Sequence, residues 1–298
     1  MSEELAIETC DLRKRYGALE ALRGLDLKAP HGSIHGFLGR NGAGKTTAMK
    51  ILMGMARPDS GEARVCGLNA ASATDSIEIR RVTAFASEEK DLYQSMTVDG
   101  MIRFTRAFFP GWRNDLEERY RRRFGLRPEQ EIKTLSKGTR TKLALLLVLC
   151  RGARVLILDE PTSGLDPAAG EEILQALVSA AAEQGATVFF SSHQIPEVEQ
   201  IADRVTIIDR GKAVVAGELE DLRLHYRRIQ LVFATDAPSQ PLRAAGVFRT
   251  RRDGRSLTLL ASAGADHIVQ EVQAWGPVSV DVTPVSLKEI FLETVQED

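Results

Sequence analysis

Apolar segments of strand length alternate with longer amphipathic segments through much of this chain. Four apolar runs, each bounded by glycine or polar residues, cover residues 34–38, 155–158, 187–191 and 205–208. Runs of this length are typical of buried strands, and segment 168–183, between two of them, has the pattern of a helix. Strands that alternate with helices indicate a parallel sheet with helices on its faces.

A helical block interrupts this alternation, and a different pattern follows it. From about residue 97 to residue 150 the pattern is mostly helical. From about residue 223, short strand-like pieces take over, with a helix near 267–275 and a last helix from residue 286. A helical block between two halves of a sheet predicts an inserted subdomain. We therefore expect a first domain over residues 1–222, a helical subdomain within it at about 95–150, and a small α+β domain over residues 223–298.

Composition is that of an ordinary globular protein. Hydrophobic residues make up 43% and charged residues 27% of the 298, and the net charge of −2 gives no general attraction to nucleic acid. The three widely separated cysteines, Cys10, Cys66 and Cys150, predict free thiols in a reducing cytosol. The N-terminus lacks a signal-peptide pattern, and the longest apolar run, 143–150, is far shorter than the ~18 residues that span a bilayer. We therefore expect any membrane role to require a partner protein.

The residues that follow the run 34–38 fit the phosphate-loop pattern G-x-x-x-x-G-K-[ST]. Glycines let the backbone wrap a triphosphate closely, and the helix that follows directs its positive N-terminal end at the phosphates. Lys45 can reach the β- and γ-phosphates, and the Thr46 hydroxyl can bind Mg²⁺. The predicted nucleotide-binding residues of this loop are Gly39, Arg40, Asn41, Gly42, Ala43, Gly44, Lys45, Thr46 and Thr47.

A second apolar run, 155–158, ends in two acidic residues, Asp159 and Glu160. A carboxylate at the end of a buried strand can lie beside the phosphates, where Asp159 would bind Mg²⁺ directly or through water. Glu160 is placed to orient or deprotonate the attacking water. The expected fold class is α/β: a P-loop NTPase with a mixed or parallel sheet core, an inserted helical subdomain and a small C-terminal α+β domain.

A third segment, Leu135-Ser136-Lys137-Gly138-Thr139, precedes Asp159 and leads into a helical run. The chain resembles the ATP-binding subunit of ATP-binding cassette (ABC) transporters over nearly all of residues 5–220. The resemblance rests on this segment together with the phosphate loop, the LILDE segment 156–160, the SGLD segment 163–166 and a lone His193. In that family the segment like 135–139 of one subunit closes over ATP held by the other. The resemblance thus implies that Ser136 and Gly138 donate hydrogen bonds to the γ-phosphate in a second subunit.

Three further roles come with the resemblance. Tyr16 matches the aromatic residue that stacks on adenine, although a packed tyrosine at a strand edge is the plainer alternative. Asp166 lies in a segment where the two subunits meet, and with Pro167 it also makes a good helix N-cap, so that both roles are compatible. His193 resembles the switch histidine that contacts the γ-phosphate, rather than a purely structural histidine.

The chain departs from the family pattern at Lys137, at Thr139 and at Glu88. Lysine replaces the usual glycine and threonine the usual glutamine of the 135–139 segment, and Glu88 stands where the family has glutamine. A carboxylate at Glu88 can still bind Mg²⁺, but it cannot donate as an amide does. The expected Mg²⁺ ligands are therefore Thr46, Asp159 and Glu88.

The resemblance implies an ATPase subunit that dimerises around two Mg²⁺–ATP and drives a separate integral membrane permease. The second ATPase subunit would be identical or related, and the chain would be cytoplasmic, peripheral on the inner face of the cell membrane. Segment 285–292 resembles the end of drug-exporter-type ATPases and favours export. The arginines of segment 119–127 form a solvated helix face or contact lipid headgroups or an acidic patch of the permease.

Two alternatives stay open at this stage. One is a soluble ABC ATPase that acts on ribosomes or nucleic acid. Such proteins usually carry two cassettes or a long coiled-coil insertion, whereas this chain has one cassette, and no nucleic acid partner is expected. The other is a regulatory module that senses ATP without transport.

Overall fold

The structure is a computed structural model that describes residues 4–89, 91–239 and 245–295. The chain forms two compact units, the first ending at Ala216 and the second beginning at Gly217. The second unit therefore begins before residue 223, where the hydrophobic pattern changes.

In the first unit, the strands are β1 Leu5–Tyr16, β2 Leu19–Pro30, β3 Ile34–Leu38, β4 Ser60–Val65, β5 Leu68–Asn69, β6 Thr83–Ala86, β7 Val155–Leu158, β8 Thr187–Ser192, β9 Arg204–Asp209 and β10 Lys212–Glu218, whose last residues reach the second unit. The helices are α1 Lys45–Leu52, α2 Ala73–Val82, α3 Val98–Arg106, α4 Asn114–Arg123, α5 Lys137–Leu149, α6 Pro167–Gln184 and α7 Ile195–Ile201, with a 3₁₀ turn at Ile132–Thr134. In the second unit, the elements are α8 Leu219–His225, β11 Arg227–Val232, β12 Val247–Asp253, β13 Ser256–Ala261, α9 Ala265–Gln273, β14 Ser279–Pro284 and α10 Leu287–Thr294.

The central sheet has the strand order β10-β9-β3-β8-β7-β6. Strands β6, β7, β8, β3 and β9 pair in parallel, as the alternating pattern predicts. The register pairs Leu38 with Ser192 and Leu158 with Phe190. The carboxyl ends of β3, β7 and β8 consequently meet at one edge of the sheet, where ligands bind in open α/β folds.

A second, antiparallel sheet has the order β2-β1-β4-β5. Its inward side chains, those of α1 and those of β3, β7 and β8 form one buried cluster, which includes Leu27, Met49, Ile157 and Phe189. Helix α1 thus packs in the main core, and its first turn is held rigidly beside the phosphate loop.

The sequence pattern did not predict α2 and α7. Helix α2 buries only Ile79 and helix α7 only Val198, so neither has the apolar stripe from which a helix is read. Helix α2 is stabilised by an N-cap, since the Ser72 hydroxyl accepts a hydrogen bond from the Asp75 N–H.

Helices α3 to α5 occupy the region predicted to be helical. Helix α5 is buried from Leu143 to Leu149 and is capped by Ser136, whose hydroxyl accepts from the Thr139 N–H. A buried helix of this kind fixes the segment at its own N-terminus. In the described part of the chain, no helix is long and apolar enough to cross a bilayer.

In the second unit a four-stranded sheet has the order β12-β13-β11-β14, and the strand pairs are antiparallel. One face packs on α9 through a core that includes Ile229, Leu259, Ile268 and Val272. Helix α10 begins with a capping box between Ser286 and Glu289.

Candidate nucleotide site

A cavity of about 300 Å³ opens at the carboxyl edge of the central sheet. It is lined by Tyr16, Leu19, Ala21, Arg40, Asn41, Gly42, Gly44, Lys45, Thr46, Thr47, Glu88, Asp159 and Glu160. The structure therefore gathers residues of the phosphate loop, the strand-end acids, Tyr16 and Glu88 around one space.

The phosphate loop has a backbone that only glycine accommodates at two points. Gly44 has a φ of 110°, and a Cβ there would lie 2.6 Å from the Ala21 carbonyl oxygen. A Cβ on Gly39 would lie 2.7 Å from the Ile208 carbonyl oxygen. Gly44 is also the N-cap of α1, and no side chain among the described residues caps the helix there. The first N–H groups of α1 are thus left for an anion.

Lys45 is buried, with 7% of its surface exposed. Its ammonium donates to the Gly39 carbonyl oxygen at 2.6 Å and to that of Arg40 at 3.4 Å. It also lies 3.3 Å from Glu160 Oε1. These contacts hold the ammonium at the cavity wall, where a triphosphate can take over some of them.

Asp159 lies at the floor of the cavity between two hydroxyls. Its Oδ2 accepts from Thr46 Oγ1 at 2.6 Å, and its Oδ1 accepts from Ser191 Oγ at 2.6 Å. The sequence motifs do not mark Ser191. The signal that identifies it is a small polar residue near the end of an otherwise apolar strand, in register beside β3.

Glu160 combines strained backbone with a buried carboxylate. Its φ is 46°, a left-handed value that is unusual for a residue other than glycine, and only 5% of its surface is exposed. Its N–H donates to Ser191 Oγ at 2.9 Å, and its Oε2 lies 2.8 Å from His193 Nδ1. Oε1 is buried and, among the described residues, has no hydrogen-bond partner; it lies 3.3 Å from Lys45 Nζ as an ion pair. That oxygen is free to accept from a water in the cavity.

Tyr16 ends β1 at the mouth of the cavity, and 48% of its surface is exposed. Its strand is anchored there by Asp59, which accepts from Lys14 Nζ at 2.9 Å and from the Arg15 N–H at 2.6 Å. These hydrogen bonds, that from Lys14 most strongly, lower the pKa of Asp59. The Lys14 ammonium lies over one face of the ring, 5.4 Å from its centroid. A ring that is fixed at its backbone and about half exposed suits stacking on its remaining face better than core packing.

Six predicted site residues do not line the cavity in the described structure: Gly39, Ala43, Ser136, Gly138, Asp166 and His193. Gly39 and Ala43 belong to the phosphate loop that does line it. Ser136 and Asp166 cap α5 and α6, respectively. Within the described part of the chain, His193 contacts the site through its hydrogen bond with Glu160. One chain therefore brings together the phosphate loop and the acids but not the segment 135–139.

The oxygen donors fit a small divalent cation. Thr46 Oγ1 and Asp159 Oδ2 are adjacent, and Glu88 lines the same cavity. The described residues contain no group of three His, Cys, Asp or Glu side chains arranged around a common point. Mg²⁺ is commonly held by one or two carboxylates together with substrate phosphates, so this donor set suits it.

Comparisons with known proteins agree with this geometry. The model of the ABC transporter family matches residues 22–163. The chain is 33% identical over 224 residues to the bacitracin transport ATP-binding protein BcrA of Bacillus licheniformis, covering 74% of this chain and 72% of the relative. It is 33% identical over 223 residues to the daunorubicin/doxorubicin resistance ATP-binding protein DrrA of Streptomyces peucetius, covering 73% of this chain and 67% of the relative.

A solved structure of an ATP-binding subunit of an ABC transporter superposes with a TM-score of 0.66 at 28% identity, covering 74% of this chain and 92% of that chain. These likenesses confirm the family resemblance and the P-loop NTPase fold predicted from the sequence. They do not favour the ribosome-associated and sensor alternatives. The chain therefore belongs to the ATP-binding subunits of ABC transporters and is an ATPase that powers transport.

Proposed function

We propose that this chain is the Mg²⁺-dependent ATPase of an exporter, that it works as a pair of cassettes, and that a permease partner holds it at the inner face of the membrane. The observation that carries the proposal is an incomplete site. The cavity has Lys45, Thr46, Asp159 and Glu160, but Ser136 and Gly138 lie outside its lining. A second chain must then supply the donors that close over the nucleotide.

Each wall of the cavity has a role in this proposal. The amides of the loop 39–44 and the Lys45 ammonium bind the β- and γ-phosphates, and Tyr16 stacks on the base. Glu160 Oε1, which has no hydrogen-bond partner, orients the attacking water and accepts its proton. His193, 2.8 Å from the other oxygen of the same carboxylate, holds Glu160 in place.

Thr46, Asp159 and Glu88 would hold Mg²⁺. When bound, the ion neutralises charge on the phosphate oxygens as the terminal phosphate leaves. Ser191 orients Asp159 by donating to its second oxygen, so the carboxylate presents Oδ2 to the cavity.

The pairing of two cassettes follows from where the remaining donors lie. Ser136 is exposed at the start of α5, and the N-terminal end of that helix carries a partial positive charge. Placed over the cavity of a second chain, this end would contact the γ-phosphate. Binding of ATP would then favour the paired state, and hydrolysis would remove that preference.

An exposed aromatic patch is the surface best suited to the permease. Tyr93, Phe104 and Phe108 are exposed, and their rings contact one another in edge-on arrangements with centroids 5.5 and 5.2 Å apart. A cavity of about 230 Å³ is lined in part by Leu92 and Met101, which come from the same two segments of the chain as the aromatic residues. Exposed contiguous aromatic surface of this kind marks protein interaction sites.

Export is favoured by the name of DrrA, a daunorubicin/doxorubicin resistance protein, because an ATP-binding subunit of a transporter can confer resistance by powering removal of the compound. A nucleoside import ATP-binding protein is equally identical at 33%, but the match covers only 45% of that protein, so it weighs less. The resemblance of segment 285–292 to exporter-type ATPases points the same way.

The test is the oligomeric state of Glu160→Gln. This variant should bind Mg²⁺–ATP and lose nearly all turnover. It should elute as a single peak in size-exclusion chromatography, with a mass by light scattering that corresponds to a dimer. The exposed Glu129→Gln is the matched control and should turn over ATP normally. A Glu160→Gln chain that binds ATP yet stays monomeric would contradict the paired-cassette proposal.

A further inference from the structure

The short loop between Thr162 and helix α6, residues 163–166, is fixed at both ends. Before it, the buried Thr162 donates to Glu197 Oε2 at 2.7 Å. At its end, Asp166 caps α6 by accepting from the Ala169 N–H at 2.9 Å. Of the three residues between these anchors, we call Ser163 and Gly164 the tip of the loop. Their position depends on what the tip itself contacts.

A carboxylate holds the tip on one side. Ser163 Oγ donates to Glu88 Oε1 at 3.3 Å, a contact between residues 75 apart in the sequence. Glu88 follows strand β6 and lines the nucleotide cavity. The Ser163 N–H also donates to the Glu160 carbonyl oxygen at 3.2 Å. The tip is therefore linked to the cavity twice, through Glu88 and through Glu160.

A lysine also lies against the tip. The Lys137 side chain lies against Gly164, so that a Cβ on Gly164 would overlap the ammonium nitrogen and come within 3.1 Å of Cε. Gly164 has a φ of 69°, which favours glycine independently. Over the residues that the structure describes, no carboxylate lies within 4 Å of Lys137 Nζ. Among the described residues its ammonium therefore lies beside the loop without an ion pair of its own.

We propose that Glu88 and Lys137 are a pair of positioning residues that hold the loop tip between them. They come from two different elements, the segment after β6 and the first turn of α5, and they carry opposite charges. The inference rests on the proposed function in one respect: the loop matters because Asp166 and segment 135–139 face a second cassette. By fixing the tip, the pair sets the loop for pairing before nucleotide arrives.

Glu88 and Lys137 both restrain the same loop tip, so their effects should not be additive. Because both contacts stabilise the same conformation of the tip, removing either one should loosen it, and removing the second should then add little. The hydrogen bond from the Ser163 N–H to the Glu160 carbonyl oxygen remains in every variant. Glu88 accepts a hydrogen bond from the tip, and Lys137 lies against it. Because both contacts are partly exposed, the expected effect of losing either is that of one ordinary hydrogen bond, about five- to tenfold in the opening equilibrium.

The experiment measures hydrogen exchange of the backbone amides of residues 162–166 in the full chain without nucleotide. The variants are Glu88→Ala, Lys137→Met and the double variant. The controls are Glu89→Ala, an exposed neighbour, and Lys133→Met, which pairs with Glu131 and not with the loop. We expect exchange about five- to tenfold faster in each single variant, no further increase in the double variant, and no change in the controls.

A second readout separates this inference from the proposed function. ATP affinity of the monomer should stay within about twofold for Lys137→Met, whereas ATP-driven dimerisation in the Glu160→Gln background should need about tenfold more protein. Unchanged exchange, or additive effects in the double variant, would overturn the positioning role even if pairing occurs. If the unaltered Glu160→Gln chain does not pair at all, the proposed function fails while the exchange result still decides the loop.

Discussion

Lys45 and Glu160 form a buried ion pair, and its removal should be visible without any nucleotide. Lys45 is 7% and Glu160 5% exposed, so Lys45→Ala leaves a carboxylate in the interior that has lost its nearest fixed cation. Breaking such a pair from one side costs about 3–5 kcal/mol. His193 stays 2.8 Å from the other oxygen and offsets part of this cost. We expect Lys45→Ala to lower the free energy of unfolding by about 2–3 kcal/mol.

The double variant makes this expectation specific. Glutamine at position 160 needs no counter-charge, so Lys45→Ala combined with Glu160→Gln should lie within about 1 kcal/mol of Glu160→Gln alone. Urea unfolding of the nucleotide-free protein measures it. Unfolding is followed by tryptophan fluorescence, and the chain has two tryptophans, one in each unit. Replacing the second by Trp275→Phe leaves Trp112, in the first unit, as the only reporter. Equal destabilisation by Lys45→Ala with and without Glu160→Gln would refute the buried-pair reasoning.

Three further predictions concern the loop, the sheet and the base. Gly44→Ala should reduce ATP affinity at least tenfold by equilibrium titration, because its Cβ would lie 2.6 Å from the Ala21 carbonyl oxygen and its φ is 110°; unchanged affinity would show that the loop adopts another backbone. Burial lowers the pKa of His35 to about 3, whereas the ordinary value in an unfolded chain is about 6.5. As the pH falls below about 6.5, the unfolded chain therefore takes up a proton that the folded chain does not. The contribution of His35 to the free energy of unfolding is fully present above that pH and declines toward pH 3 by up to about 1.4 kcal/mol per pH unit. Urea unfolding from pH 7 to pH 5 should show a shallower slope for His35→Asn, and an identical slope would exclude His35 as the source. Tyr16→Ala should weaken ATP binding about five- to fiftyfold while Tyr16→Phe retains it; equal losses would implicate the hydroxyl rather than the ring.

The sequence predicted which segments meet around the cavity, because each motif is a short segment at the end of a buried strand. The loop 39–47 and the acids after β7 follow buried strands, and parallel strands bring such ends to one edge. The long apolar runs of β3, β7 and β8 made those strands the easiest elements to predict.

The side-chain hydrogen bonds between distant segments could not be predicted from the sequence. Ser191 orients Asp159 from a strand that no motif marks, and Ser163 contacts Glu88 across 75 residues. Only the folded register brings these groups together. Helices such as α2 escaped prediction for a different reason, since a helix that buries one residue leaves too weak a periodic signal.

Complementation between two inactive variants tests the shared site most directly. Lys45→Ala disables the cavity, and Gly138→Asp places a negative charge at the start of α5. A Cβ on Gly138 would come no closer than 3.8 Å to the described neighbouring atoms, so we expect this variant to fold. In a mixed pair, the intact cavity of the Gly138→Asp chain faces the intact α5 terminus of the Lys45→Ala chain. We predict that each variant alone is inactive and that an equal mixture recovers up to about a quarter of the normal ATPase rate, because half of randomly formed pairs are mixed and each has one complete site. A mixture as inactive as its components would contradict the central claim that two chains build each nucleotide site.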